Sequence, residues 1–125
     1  MVRERHGNLL ADDADALVNT VNTVGVMGKG IALQFKRAYP RMFTDYAREA
    51  KAGRLVTGRM HVWETGSLTG PRFVINFPTK QHWRAPSRMS DIEAGLTDLV
   101  RVVRERGIRS IAIPLSAVAT GAGLD

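Results

Sequence analysis

The segment Val18-Asn-Thr-Val-Asn-Thr-Val-Gly-Val-Met-Gly-Lys-Gly-Ile-Ala32 holds the residue types best suited to gripping an anion. An apolar run ends near Val21 and the amide of Asn22 stands at its edge. Gly25, Val26, Met27, Gly28, Lys29 and Gly30 then lead into a helical pattern opening at Ile31. Glycines let main-chain N–H groups approach a phosphate closely, and a helix N-terminus adds partial positive charge. The spacing is neither that of a P-loop nor the G-x-G-x-x-G of a dinucleotide fold. On residue types alone the stretch is either a diphosphate cradle or a structural turn.

A second stretch, Asn76-Phe-Pro-Thr-Lys-Gln-His-Trp-Arg84, follows another apolar run. It places Thr79 and Lys80 on a loop just past Pro78. A lysine beside a diphosphate is a charge clamp; a desolvated one is a nucleophile or base. Trp83 is able to stack on a base, or simply to pack, and His82 reads as structural or exposed. The third stretch, from Ile113 to Asp125, begins as a strand end and becomes small and glycine-containing. It is a second phosphate loop or a frayed terminus.

The elements that must position these residues alternate in type. Strands are expected from Ala16 to Val21, Arg59 to Glu64, Arg72 to Phe77 and Ile108 to Pro114, with Gly66 to Pro71 as a hairpin loop. Helices are expected from Ile31 to Ala38, stopped by Pro40, and from Met42 to Ala52, capped by Gly53. The longest runs from Ser90 to Arg106. Ser90 and Glu93 suggest a capping box, Ile92, Leu96, Leu99 and Val103 one apolar face, and Gly107 a stop. Such alternation predicts an α/β layered domain with a mixed sheet, its ligands at the carboxyl ends of strands.

Composition narrows the partners. The chain has 125 residues, enough for one domain. It has no cysteine, which excludes disulfide scaffolds, thiolate metal sites and cysteine nucleophiles, and its three scattered histidines make a metal site unexpected. No cofactor is expected. The net charge of +6 favours anionic partners. Residues 1–30 carry three basic and four acidic side chains, and residues 31–125 carry fifteen and eight. Neither a signal peptide nor a membrane span is discernible, so a cytoplasmic protein that avoids membranes is expected.

From Gly7 to Pro114 the chain resembles the macro domains, α/β/α sandwich modules that bind ADP-ribose. Gly7-Asn-Leu-Leu, the Ala16–Asn22 run and the glycine loop match the family's opening signature. Ile75-Asn-Phe-Pro-Thr-Lys-Gln-His-Trp83 and Asp91-Ile-Glu-Ala-Gly-Leu96 make it most similar to the antitoxin macro domains of DNA-ADP-ribosylating toxin–antitoxin pairs. That resemblance implies a DNA ADP-ribosyl glycohydrolase, which removes ADP-ribose from thymidine in single-stranded DNA and counters a cognate ADP-ribosyltransferase toxin.

It also implies roles. Asn22 would hold the distal ribose and Gly25 to Ile31 would wrap the diphosphate. Lys80 would act near the anomeric carbon, by charge or by a covalent link to the opened sugar. Asn8 stands where many relatives carry an aspartate for the adenine amino group, and its carbonyl can accept the same bond. Leu9, Thr20, Thr79 and Gly121 complete the implied ADP-ribose contacts, and His82, Trp83 and Arg84 are candidate DNA contacts. After Leu115 the sequence departs from the family's Pro-Pro-Leu-Gly-Cys-Gly-like loop. A single domain truncated at its C-terminus is therefore expected, with residues 116–125 atypical. A one-base change of reading frame there would regenerate a Leu-Gly-Cys-Gly loop. A non-catalytic ADP-ribose reader and an inactive, frameshifted fragment thus stand beside the enzyme as readings.

Overall fold

The computed structural model describes residues 2–5, 10, 13–82 and 87–114. In chain order its elements are β1 (Val2–Arg5), β2 (Ala16–Asn22), α1 (Gly30–Ala38), α2 (Pro40–Lys51), β3 (His61–Glu64), β4 (Phe73–Lys80), α3 (Met89–Arg106) and β5 (Ile111–Pro114). They form one five-stranded sheet in the order β1-β5-β2-β4-β3. All neighbours run parallel except β3 against β4, so the sheet is mixed, as the sequence predicts.

The interior strand β2 is apolar because helices cover both of its faces. Leu17 and Val21 pack with Phe35, Met42 and Tyr46 from α1 and α2. Ala16 and Val18 pack with Ile92, Leu99 and Val102 from α3. Three layers result, with β2 and β4 at the centre and their carboxyl ends side by side.

The expected elements all form, with starts shifted by two or three residues at α2 (Pro40 for Met42), β3 (His61 for Arg59) and β5 (Ile111 for Ile108), and larger differences lie in β1, β4 and α3. β1 is an unexpected strand: its Arg3, Glu4 and Arg5 give no strand signal, and its pairing with β5 is a long-range one. β4 runs on through Thr79 and Lys80, which are therefore strand residues and not loop. Pro78 is tolerated because β3 pairs only with Phe73–Asn76, leaving that end of β4 with an open edge.

The Ser90–Glu93 capping box does not form. α3 starts at Met89 with extended Arg88 as its N-cap, so Ser90 lies inside the first turn. The apolar face of α3 also differs. Ile92, Gly95, Leu99 and Val102 are buried, while Leu96 is 49% exposed. Gly95 sets this rotation: a Cβ there would stand 2.4 Å from the Phe77 ring, so the helix lies flat on β4 only with glycine inward.

Candidate functional site

The glycine loop is held by one side chain. Asn22 accepts hydrogen bonds at Oδ1 from the N–H groups of Val24 (3.1 Å) and Val26 (3.3 Å), and its Nδ2 donates to the Val26 carbonyl (2.8 Å). From α2 the Tyr46 hydroxyl reaches the Asn22 main-chain oxygen at 2.7 Å and Oδ1 at 3.1 Å. Burial pushes the Tyr46 phenol well above its usual range, so it stays protonated and remains a donor. Gly25 has φ +91, and its Cα hydrogen faces α2 where a Cβ would lie 3.2 Å from Ala50 Cβ. Glycine is thus required there both by backbone conformation and by space.

The loop is also stitched to β4. The register pairs Asn22 with Lys80, just past an irregularity at Val21/Asn22. Thr23 donates from its N–H to the Lys80 carbonyl (3.1 Å) and from its hydroxyl to the Gln81 carbonyl (3.1 Å). Asn22, the loop and Lys80 therefore share one edge of the sheet. Lys80 is half-buried at the end of β4.

Within the loop the residues divide by direction. Met27 is buried and anchors the loop in the core. Gly28, Lys29 and Gly30 are exposed, Val26 is 41% exposed and Ile31 is half-buried. α1 opens at Gly30 with no side chain capping it, so its first-turn N–H groups point outward beside the exposed glycines. An anion lying over residues 28–31 meets main-chain donors and the positive end of a helix.

Other expected site residues fall elsewhere. Thr20 pairs with Phe77 and shares its α3-facing side of the sheet, so it is not brought to the loop. Thr79 is buried near the end of β4, and His82 is half-buried two residues past Lys80. Asn8, Leu9, Trp83, Arg84 and Gly121 lie outside the described residues, as does the whole stretch after Pro114.

Beneath the loop runs a buried polar chain that sequence reasoning missed. Asn19 Nδ2 donates to Asn76 Oδ1 (3.2 Å) and touches Met27 Sδ (3.9 Å). Asn76 Nδ2 meets His61 Nδ1 (2.9 Å) and Met42 Sδ (3.2 Å). His61 Nε2 in turn meets Asp45 Oδ2 (2.8 Å). An Nδ1 that accepts from Asn76 leaves Nε2 as the ring's donor toward Asp45. Asn19 Oδ1 is buried without a partner. The available signal was an asparagine in the middle of each apolar strand, Val18-Asn-Thr and Ile75-Asn-Phe; a buried amide needs a partner. Among the described residues no cluster of His, Asp or Glu suits a metal.

A mixed sheet layered by helices, with a glycine loop gripped at the end of its central strand, is thus the frame of the site. The chain belongs to the macro domain family, whose model matches residues 18–124. It is 58% identical over 125 residues to the DNA ADP-ribosyl glycohydrolase of Mycobacterium tuberculosis, covering all of this chain and 35% of that protein. It is 54% identical over 114 residues to the Thermus aquaticus protein of the same name, covering 91% and 32%. The chain thus spans about a third of the length of these curated relatives.

Solved structures agree. The macrodomain of Mycobacterium tuberculosis DarG superposes with a TM-score of 0.91 at 58% identity, over all of this chain and 82% of that one. Thermosipho africanus DarTG in complex with ADP-ribose gives 0.81 at 32% identity, over 94% and 32%. This chain is therefore a macro domain homologous to the DarG macrodomains.

Proposed function

We propose that this chain is a single macro domain that binds ADP-ribose and hydrolyses the N-glycosidic bond joining it to thymidine in single-stranded DNA. In this reading it is the antitoxin to a DNA ADP-ribosyltransferase, acting where DNA is, in the cytoplasm. The observation that carries the proposal is the pairing of Asn22 with Lys80 at the carboxyl ends of adjacent parallel strands, beside a glycine loop that opens onto α1. The names of the similar proteins, a DNA ADP-ribosyl glycohydrolase and a transferase–glycohydrolase fusion, support the substrate and the partner. A relative solved with ADP-ribose supports the ligand. No described helix is long and apolar enough to cross a membrane.

The chemistry follows from the placement. The diphosphate lies over the N–H groups of residues 28–31, held by Lys29 and the start of α1. The distal ribose then reaches the edge where Asn22 and Lys80 meet. Asn22 has three loop and helix donors on Oδ1 and one Nδ2 hydrogen spent on the Val26 carbonyl. Its second Nδ2 hydrogen is the one left for a ribose hydroxyl. In the hydrolysis the bond between the anomeric carbon and the base nitrogen breaks. Water oxygen bonds to that carbon, and its proton goes to the base. Lys80 acts on the anomeric carbon, as a cation facing the departing base or as an amine that adds to that carbon of the opened sugar, expels the protonated base as an imine forms, and is freed when water hydrolyses the imine. Asn8 and Leu9 receive the adenine end, Thr79 and Gly121 line the ribose and phosphate, and His82, Trp83 and Arg84 meet the DNA.

Titration calorimetry with ADP-ribose and incubation with an oligonucleotide ADP-ribosylated on thymidine test this. Binding together with release of free ADP-ribose and an intact oligonucleotide is expected. Binding without release would make the chain a reader of ADP-ribose, and no binding would overturn the proposal.

A further inference from the structure

The excess positive charge of the chain is concentrated on one layer. Residues 29–54, which comprise the end of the glycine loop, α1, α2 and the turn after them, hold seven of the 18 basic residues and two of the 12 acidic ones. The other 99 residues hold eleven and ten, and are close to neutral. Nearly the whole net charge of +6 therefore sits on the α1–α2 layer.

Local pairing sharpens the contrast. The two acids of this layer are both engaged: Asp45 by His61 (2.8 Å) and Arg48 (3.5 Å), Glu49 by Arg54 (2.6 Å). Among the described residues no carboxylate forms an ion pair with Lys29, Lys36, Arg37, Arg41 or Lys51. Lys36 instead rests over the Phe43 ring, 4.3 Å from its centroid. On α3, across the sheet, Arg101 bonds Asp98 and Glu105, and Arg106 bonds Glu64.

The exposed cations are also aligned. On α2 the exposed positions include Arg41, Thr44, Arg48 and Lys51, spaced three or four residues apart on one stripe about 15 Å long. That stripe adjoins the site. Gly25 packs against Ala47 and Ala50, one residue from Arg48 and Lys51, while Lys29 ends the same loop.

We propose that the exposed face of α1 and α2 is the track for the phosphate backbone of the single-stranded DNA whose modified base enters the Asn22–Lys80 site. Lysines and arginines along a helix bind successive phosphates by releasing condensed counterions, without reading sequence. This inference rests on the reading of the substrate as modified DNA. It locates the DNA on α1–α2, in addition to any approach to residues 82–84, and not on the arginine-rich α3.

The test is salt-dependent binding and turnover of a single-stranded oligonucleotide, unmodified and ADP-ribosylated, by the whole chain. The variant Arg37→Gln/Arg41→Gln/Lys51→Gln touches no residue of the loop or of the Lys80 edge. It is expected to lower the slope of log affinity against log salt by about 2, roughly 0.7 for each phosphate of a single strand that is no longer neutralised. KM for the modified oligonucleotide should rise about tenfold or more at low salt, with kcat and the affinity for free ADP-ribose unchanged. Arg101→Gln/Arg104→Gln/Arg106→Gln on α3 should leave slope and KM as they are. An unchanged slope in the α1–α2 variant, or an equal change in the α3 variant, overturns the proposal. If the wild-type chain released no ADP-ribose, the enzymatic reading would fail. The slope with unmodified DNA would still decide the track.

Discussion

The Tyr46 hydroxyl stands 2.7 Å from the main-chain oxygen of Asn22, and this hydrogen bond joins helix α2 to the residue that grips the glycine loop. Asn22 shapes the loop and Tyr46 holds Asn22, so a residue on a covering helix governs the geometry of the glycine loop. Tyr46→Phe keeps the buried ring and removes only the donor. It should cost about 1–2 kcal/mol of stability, because a buried carbonyl loses its partner. ADP-ribose affinity should fall several-fold as the loop loosens. Chemical denaturation and calorimetry on the variant check both.

Gly95 lets α3 approach β4. A methyl group there would stand 2.4 Å from the Phe77 ring, far inside van der Waals distance. Gly95→Ala should therefore destabilise the chain by about 1–3 kcal/mol despite alanine's better helix propensity. Gly53→Ala meets open space but holds φ +75, so it should cost about 1 kcal/mol through backbone strain alone. Thermal melts of the two variants separate a steric cost from a conformational one.

The buried amide chain should behave as a unit. Asn76→Leu alone strips partners from Asn19 and His61 at once, and about 2–4 kcal/mol of stability should disappear. Adding Asn19→Leu removes the stranded amide. The double variant should then lose less than the sum of the single losses, with a coupling of about 1 kcal/mol or more in a double-mutant cycle. Additive losses would show that the two amides act independently.

Acid should weaken the base of the sheet first. The Arg72 guanidinium donates twice to Asp15 at 2.5 Å, and the Arg109 N–H donates at 3.0 Å. The Arg72 hydrogen bonds, reinforced by the Arg109 N–H and by both positive charges, hold the Asp15 carboxyl below its usual range against the opposing effect of burial. A carboxyl whose folded pKa is depressed contributes its stability above the unfolded value and loses it as pH falls through the folded one. The wild type should thus lose stability below about pH 4, where an ordinary aspartate begins to protonate. Arg72→Met should be less stable than the wild type at neutral pH and converge on it in acid. Melting temperatures from about pH 2 to 7 show whether the gap closes.

Local sequence carried much of this architecture. The glycine loop, α1, α2 and the Gly107 stop are all written in contiguous residues, and so is the hairpin at Gly66–Pro71. What escaped depends on distance in sequence. β1 exists because β5, near the other end of the chain, offers it an edge. Lys80 joins β4 because β3 is short enough to leave Pro78 an open edge. The rotation of α3 is set by the Phe77 ring, and Ser90 loses its capping role because the helix starts one residue earlier. At the site, Asn22 and Lys80 were legible as candidates from the residues and their family resemblance. Tyr46, Asn19, Asn76 and His61 were not, since their partners lie 8 to 57 residues away and each residue is ordinary by itself.

The proposed reaction assigns Lys80 to the sugar and the glycine loop to the nucleotide. Single-turnover release of ADP-ribose from a thymidine-modified single-stranded oligonucleotide by Lys80→Ala, set beside its calorimetric affinity for free ADP-ribose, tests it most directly. The predicted result is a release rate lower by about 100-fold or more with an affinity within about threefold of the wild type. Release at the wild-type rate would overturn this assignment, as would a fall in ADP-ribose affinity equal to the fall in rate.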